Sequence, residues 1–249
     1  MSAAPLLAVE GIAKRFRGLQ AVDDVSFAVP EGAIVALIGP NGAGKTTIFN
    51  LIAGVFRPDR GTIRLGERDI TGLRPHRICD AGIGRTFQLV KPFGALTVEE
   101  NVIVGALRRS ADVTEARMVA HSILAHLGLA EKARVPAASL TLPERKRLET
   151  ARALATGPRL LLLDEVMAGL RPTEVDAMVA AFRALVRETG LTILLTEHVM
   201  RAVMALSDAI VVLHHGQKIA EGAPAAVARD PRVLECYLGS HRDGAEAGT

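Results

Sequence analysis

The run "GPNGAGKTT" at positions 39–47 places three glycines ahead of a lysine and two threonines, spaced as glycine, four residues, then Gly-Lys-Thr. Gly39, Gly42 and Gly44 let the backbone wrap closely, so that N–H groups of the loop converge on one anion. Lys45 adds a full positive charge for outer phosphates, and the Thr46 hydroxyl is a ligand for Mg²⁺. Gly39, Pro40, Asn41, Gly42, Ala43, Gly44, Lys45, Thr46 and Thr47 are therefore candidates for holding a polyphosphate. A second pair of reactive groups, Asp164 and Glu165, follows the apolar run "LLLL". With a phosphate loop upstream, Asp164 is a candidate Mg²⁺ holder through water, and Glu165 a candidate general base for an attacking water. Without that loop the two carboxylates would be ordinary strand-end charges.

The elements that must position these groups are legible in the hydrophobic pattern. "AIVALI" (33–38) is continuously apolar, as expected for a strand buried on both faces. It runs into the glycine loop, and "KTTIFNLIAG" behind the loop reads as a helix. A strand before the loop and a helix after it form the context that a phosphate loop requires. "RLLLLDE" (159–165) and "LTILLTEH" (191–198) are two more buried strands, separated by the amphipathic helix "TEVDAMVAAFRALVRETG" that Gly190 closes. Carboxylates at the end of such a strand lie where open α/β sheets bind ligands. "LLAVEGIAKRF", "AVDDVSFAV" and "GTIRLGERDI" have the alternation of antiparallel strands. Residues 97–155 are mostly helical in pattern, and "DAIVVLHHGQKIAEGAP" reads as a hairpin turning at His215 and Gly216. Strand–helix alternation with these additions implies an α/β fold built on a parallel sheet.

The 249 residues suffice for one large domain, and 49% hydrophobic with 23% charged residues is an ordinary globular composition. A net charge of +3, with no block of lysines or arginines, gives no ground for nucleic-acid binding. Cys79 and Cys236 are isolated, which argues against a disulfide framework or a zinc site and fits a reducing compartment. The N-terminus lacks the pattern of a signal peptide, and the apolar runs fall far short of the roughly 20 residues a membrane span needs. Work at a membrane would therefore depend on partners.

"RTFQLVKPF" and "LTEHV" add a third element, and with them the chain resembles the ATP-binding cassette (ABC) ATPases from about Leu7 to Gly239. The resemblance implies a phosphate-loop NTPase core with an antiparallel β subdomain and an α-helical subdomain. It implies one nucleotide-binding domain over 1–240, with the helical part at about 90–155 and a flexible tail at 241–249. It implies ATP and Mg²⁺ as ligands. Gln88 matches the glutamine that contacts Mg²⁺ and the attacking water, His198 the histidine that bonds the γ-phosphate, and Phe16 the aromatic that stacks on adenine. Such stacking contributes about 1–3 kcal/mol. Phe16 taken alone could also be a core residue, the less favoured reading. "GIGRTFQ" and the ending "GAPAAVARDPRVLECYLG" resemble the branched-chain amino acid importer branch, and the chain looks like the larger of that branch's two ATPases. The expected partners are membrane-spanning permease subunits, a second, different ATPase subunit and, indirectly, a periplasmic or extracellular solute-binding protein. The expected place is the cytoplasmic face of the inner membrane.

Where this family carries its Leu-Ser-Gly-Gly-Gln signature, the present chain has Leu140, Thr141, Leu142, Pro143 and Glu144. Thr141 can replace the serine hydroxyl and form a capping box with Glu144. Pro143 lacks an N–H that a phosphate would use, and Leu142 adds bulk where glycine allows close approach. Val166 stands in place of the usual proline, and "AGLR" (168–171) lacks the common aspartate. The apolar segment 89–107 is expected to line, in part, a groove for a permease helix, with Phe93 as the residue to probe by a charge; Val102 and Leu107 could as well pack inside the helical subdomain. The competing function is a non-transport ABC ATPase of the translation or DNA-repair type. A regulator that binds ATP without turnover is disfavoured by the intact Lys45, Asp164, Glu165, Gln88 and His198.

Overall fold

The computed structural model describes residues 5–87 and 91–239. In chain order the elements are β1 (Leu7–Phe16), β2 (Leu19–Val29), β3 (Ile34–Ile38), α1 (Lys45–Ile52), β4 (Arg60–Leu65), β5 (Arg68–Asp69), α2 (Pro75–Ala81) and β6 (Ile83–Arg85). Then follow α3 (Val98–Ala106), α4 (Val113–His126), α5 (Leu142–Ala155), β7 (Leu160–Asp164), α6 (Pro172–Thr189), β8 (Thr192–Thr196) and α7 (Met200–Leu206). β9 (Ala209–His214), β10 (Gln217–Gly222), α8 (Pro224–Val227) and α9 (Pro231–Gly239) end the described chain. The tail 241–249 lies outside the described residues, as does Gln88.

Among the described residues two sheets form. The six-stranded one has the order β10-β9-β3-β8-β7-β6, parallel except for β10; the four-stranded one, β2-β1-β4-β5, is antiparallel. β3, β7 and β8 are buried at every residue, which is why their sequences are apolar runs instead of alternations. Their side chains still divide by parity. Val35, Leu37, Leu160, Leu162, Leu194, Val211 and Leu213 pack on one side with α1 and the antiparallel sheet. Ile34, Ala36, Ile38, Leu161, Leu163, Ile193, Leu195 and Val212 pack on the other with α3 to α7. The central strands are thus covered on both faces, while the edge strand β10 is largely exposed.

Local chemistry sets the helix limits. Thr97 caps α3: the Glu100 N–H donates to its hydroxyl at 3.2 Å, and the Thr97 N–H donates to the Glu100 carboxylate at 2.7 Å. α6 starts on Pro172 and stops at Gly190, whose φ of +69° ends the helix. The antiparallel strands, the buried strands and the three long helices of the middle segment match the expectation from the sequence. α2, β6 and α7 carry no such signal, because elements of three to seven residues are shorter than the window over which periodicity can be read.

Phe182 on α6 is fully buried against the helical side of the sheet. Phe182→Ala should lower the free energy of unfolding by about 3–5 kcal/mol in urea titration. A loss below about 1 kcal/mol would place this side chain outside the packed core.

Candidate nucleotide site

The loop 39–44 leaves the end of β3, Glu165 leaves β7, and His198 leaves β8; because β8 pairs with both β3 and β7, the three departures are neighbours. They border a cleft of about 510 Å³ lined by Asn41 to Thr47, by Glu165 and His198, and by Phe16, Leu19 and His215. Glycine is obligatory at two points of the loop. At Gly39, φ is +151° and a Cβ would stand 2.2 Å from the Leu213 carbonyl oxygen; at Gly44, φ is +102° and a Cβ would stand 2.6 Å from that of Ala21. The Gly216 N–H donates to the Ala43 carbonyl at 3.1 Å, so the β9–β10 turn braces the loop from outside. Gly44 precedes α1, whose N-terminus therefore opens on the cleft with its partial positive charge.

Lys45 is buried, and its Nζ donates to the carbonyls of Gly39 at 2.7 Å and Pro40 at 2.9 Å. Burial lowers its pKa, while the charges of Glu165 and Asp164 oppose the shift. Asp164 is enclosed by donors. Arg85 Nη2 reaches its Oδ2 at 3.0 Å, Thr196 Oγ1 donates to its Oδ1 at 2.9 Å, and its own N–H donates to Thr86 Oγ1 at 3.0 Å. Arg85 also donates to Asn50 Oδ1 at 2.7 Å, which ties Asp164 to α1. Asp164, expected from the sequence as a metal holder, is thus also one half of a buried ion pair. Glu165 has the left-handed φ of +51°, its N–H donates to the Thr196 carbonyl at 3.0 Å, and its Oε1 lies 2.8 Å from His198 Nε2. Thr46 is exposed at the start of α1.

Phe16 is half-buried and does not belong to the core. It meets the edge of Phe56, ring centroids 5.0 Å apart at 70°, and borders the cleft. Leu19 extends this apolar wall and was not anticipated. Thr141 stands apart from the cleft of its own chain. It is the exposed N-cap of α5, with its N–H donating to the Glu144 carboxylate at 2.9 Å. Lys132 holds Glu144 down to about 2, with help from the Thr141 bonds, so this carboxylate is engaged by its own chain. Leu142 is exposed beside the turn at Gly169. Sequence reasoning also passed over Arg85, Thr86, Thr196, Lys146 and Glu197; Arg85 and Thr86 sit in the quoted run "RTFQ", and Glu197 beside His198, but their spacing alone carries no chemistry.

A glycine loop on a helix N-terminus, with carboxylates at adjacent strand ends and an aromatic wall, defines a nucleotide-binding α/β domain of the phosphate-loop class. The family profile described as ABC transporter matches residues 22–168, and one described as branched-chain amino acid ATP-binding cassette transporter matches residues 217–243. The chain belongs to the ABC transporter family, as one of its ATP-binding ATPase members. It is 41% identical to the high-affinity branched-chain amino acid transport ATP-binding protein BraF of Pseudomonas aeruginosa, over 94% of this chain and 98% of that protein. It is 42% identical to the corresponding protein LivG of Salmonella typhimurium, with the same coverage. The fold superposes with a TM-score of 0.86 on the ADP conformation of an ATP-binding cassette of an ABC transporter, at 32% identity over 95% of this chain and all of that one.

Glu197 is buried, and burial pushes its carboxyl from 4.5 up to about 7, against the opposing Met167 N–H and the Lys146 charge. The folded pKa exceeds the unfolded one, so the native state binds the extra proton between these values and stability falls as pH rises from about 4.5 to 7. The chain should therefore lose up to about 3 kcal/mol across that window relative to Glu197→Gln, as measured by denaturant titration at several pH values. Parallel pH profiles of the two proteins would contradict this.

Proposed function

We propose that this chain is the ATP-hydrolysing subunit of an importer for branched-chain or related small amphipathic amino acids or amides. The observation that carries the hydrolytic part is the Glu165–His198 contact at 2.8 Å on the cleft that the phosphate loop lines. The match of residues 217–243 to the branched-chain profile, and the transport names of the relatives, support the importer reading over a translation or repair ATPase. ATP would lie with its base against Phe16 and Leu19 and its phosphates in the loop 39–47. There Lys45 exchanges two loop carbonyls for phosphate oxygens. Glu165 accepts a proton from the attacking water, and His198 both orients that carboxylate and donates to the γ-phosphate.

Thr46, Asp164 and Gln88 would hold Mg²⁺, which supplies charge to the phosphates. The hydroxyl, carboxylate and amide oxygens are the hard donors that this ion prefers.

No helix among the described residues is long and apolar enough to cross a membrane. The transport names of the relatives support separate permease subunits that would carry the solute, with this chain at the cytoplasmic face. Val55, Ile78, Phe87, Val104 and Gly105 line an apolar groove of about 290 Å³ with Glu149 and Arg152 paired at 2.8 Å in its wall. Phe93, 46% exposed, stacks under Arg152 with the guanidinium 4.6 Å from the ring centre. Val102 is fully buried and belongs inside the helical layer, whereas Leu107 is 40% exposed. A permease helix with apolar side chains fits this groove. Arg85 borders it too and bonds Asp164, so docking there touches the nucleotide site. Phe93→Glu should weaken assembly or uncouple transport while ATP affinity stays unchanged; normal transport by that variant would remove the groove as the docking site.

Thr141, Leu142 and Pro143 would face the nucleotide held by the second, different ATPase subunit, beneath the solute-binding protein's permease. There Pro143 offers no N–H, and one missing preorganised donor costs roughly 10²–10³ in rate. Hydrolysis would therefore run mainly at the site built on Lys45, Asp164, Glu165 and His198. Glu165→Gln in the assembled transporter should keep ATP binding and lose roughly 10²-fold or more in turnover. The matching change in the second subunit should cost less. Unchanged turnover in Glu165→Gln would refute the base, and a larger loss from the partner would refute the asymmetry.

A further inference from the structure

Lys146, in the second turn of α5, is only 8% exposed, yet it carries an ammonium. Its Nζ donates to the carbonyl oxygens of Glu165, at 3.2 Å, and Ala168. Burial lowers its pKa, and the carboxylates of Glu197 and Glu165 oppose that shift, so the cation is compensated inside the protein. Glu197 grips the same turn from the β8 side. It is 2% exposed, its Oε1 accepts the Met167 N–H at 2.7 Å, and its Oε2 has no hydrogen-bond partner among the described residues. Three backbone groups of the turn, the carbonyl of residue 165, the N–H of 167 and the carbonyl of 168, are thus held by two buried side chains. Within that turn Glu165 has φ +51°, a left-handed conformation that a residue with a Cβ keeps only when its surroundings impose it.

We propose that Lys146 is a positioning residue for the hydrolytic carboxylate. By pinning the Glu165 carbonyl it holds the left-handed backbone that turns the side chain toward His198 and the cleft. This rests on the reading of Glu165 as the base. It also gives α5 two duties, because the helix whose N-cap is Thr141 reaches the chain's own hydrolytic turn through Lys146. A displacement of Thr141 on meeting the second subunit's nucleotide is carried along one rigid helix to Glu165.

The test compares Lys146→Met, Lys146→Arg and Glu165→Gln in the assembled transporter, with ATP affinity and thermal unfolding measured on each full chain. Lys146→Met should lower kcat about tenfold or more, equivalent to 1.36 kcal/mol on the barrier per tenfold, with KM and Kd for ATP unchanged. Lys146→Arg, which retains donors for both carbonyls, should restore kcat. Unchanged kcat in Lys146→Met alongside a large loss in Glu165→Gln overturns the positioning role and leaves the base intact. Unchanged turnover in Glu165→Gln overturns the base itself. If Lys146→Met fails to fold, Lys146→Gln, which keeps one donor, decides: a fall of kcat alone supports positioning, whereas unchanged kcat, or ATP affinity and kcat lost together, overturns it.

Discussion

The pairing of β3 with β8 and of β8 with β7 ends three buried strands side by side, and the cleft depends on that register. Each strand is too apolar to offer chemistry of its own. Each delivers its working group within two residues of the strand end: the glycine loop directly after β3, Glu165 directly after β7, His198 two residues after β8. A slip in register would carry buried leucines into the cleft and Asp164 into the core. The cost of burying the Asp164 carboxylate is offset by Arg85 and Thr196, and Arg85 passes the connection on to α1 through Asn50.

A second constraint is backbone strain at the reacting turn. Glu165 is one of four non-glycine residues with positive φ among those described, and it is the one tied by three kinds of bond, to the Thr196 carbonyl, the Lys146 ammonium and the His198 ring. His215, another of the four, turns the β9–β10 hairpin that braces the phosphate loop through Gly216. Two of these four unusual backbone positions thus border the cleft. The C-terminal segment joins the same arrangement. Tyr237 is pushed up to about 12 by burial, and its hydroxyl is bonded to the Gly39 backbone, so α9 buttresses the phosphate loop from the helical side.

Much of this was legible along the chain, for reasons of length and spacing. The phosphate loop is contiguous, so nine neighbouring residues carry its whole signal, and the buried strands are continuous apolar runs that no amphipathic element would show. The parallel α/β class, the antiparallel additions and the helical stretch followed from those patterns. Tertiary structure alone decided that Phe16 borders the cleft instead of filling the core, that Val102 is interior while Val104 faces a groove and Phe93 stacks on the Arg152 of its wall, and that Asp164 is paired with Arg85. It also brought Lys146 and Glu197, far from each other in sequence, onto one turn. Such contacts join single residues across tens of positions, and a lone lysine on a helix or a lone glutamate at a strand end has the same composition whether it faces water or a backbone carbonyl. Only burial, which the packed sheet and helices impose, makes that difference.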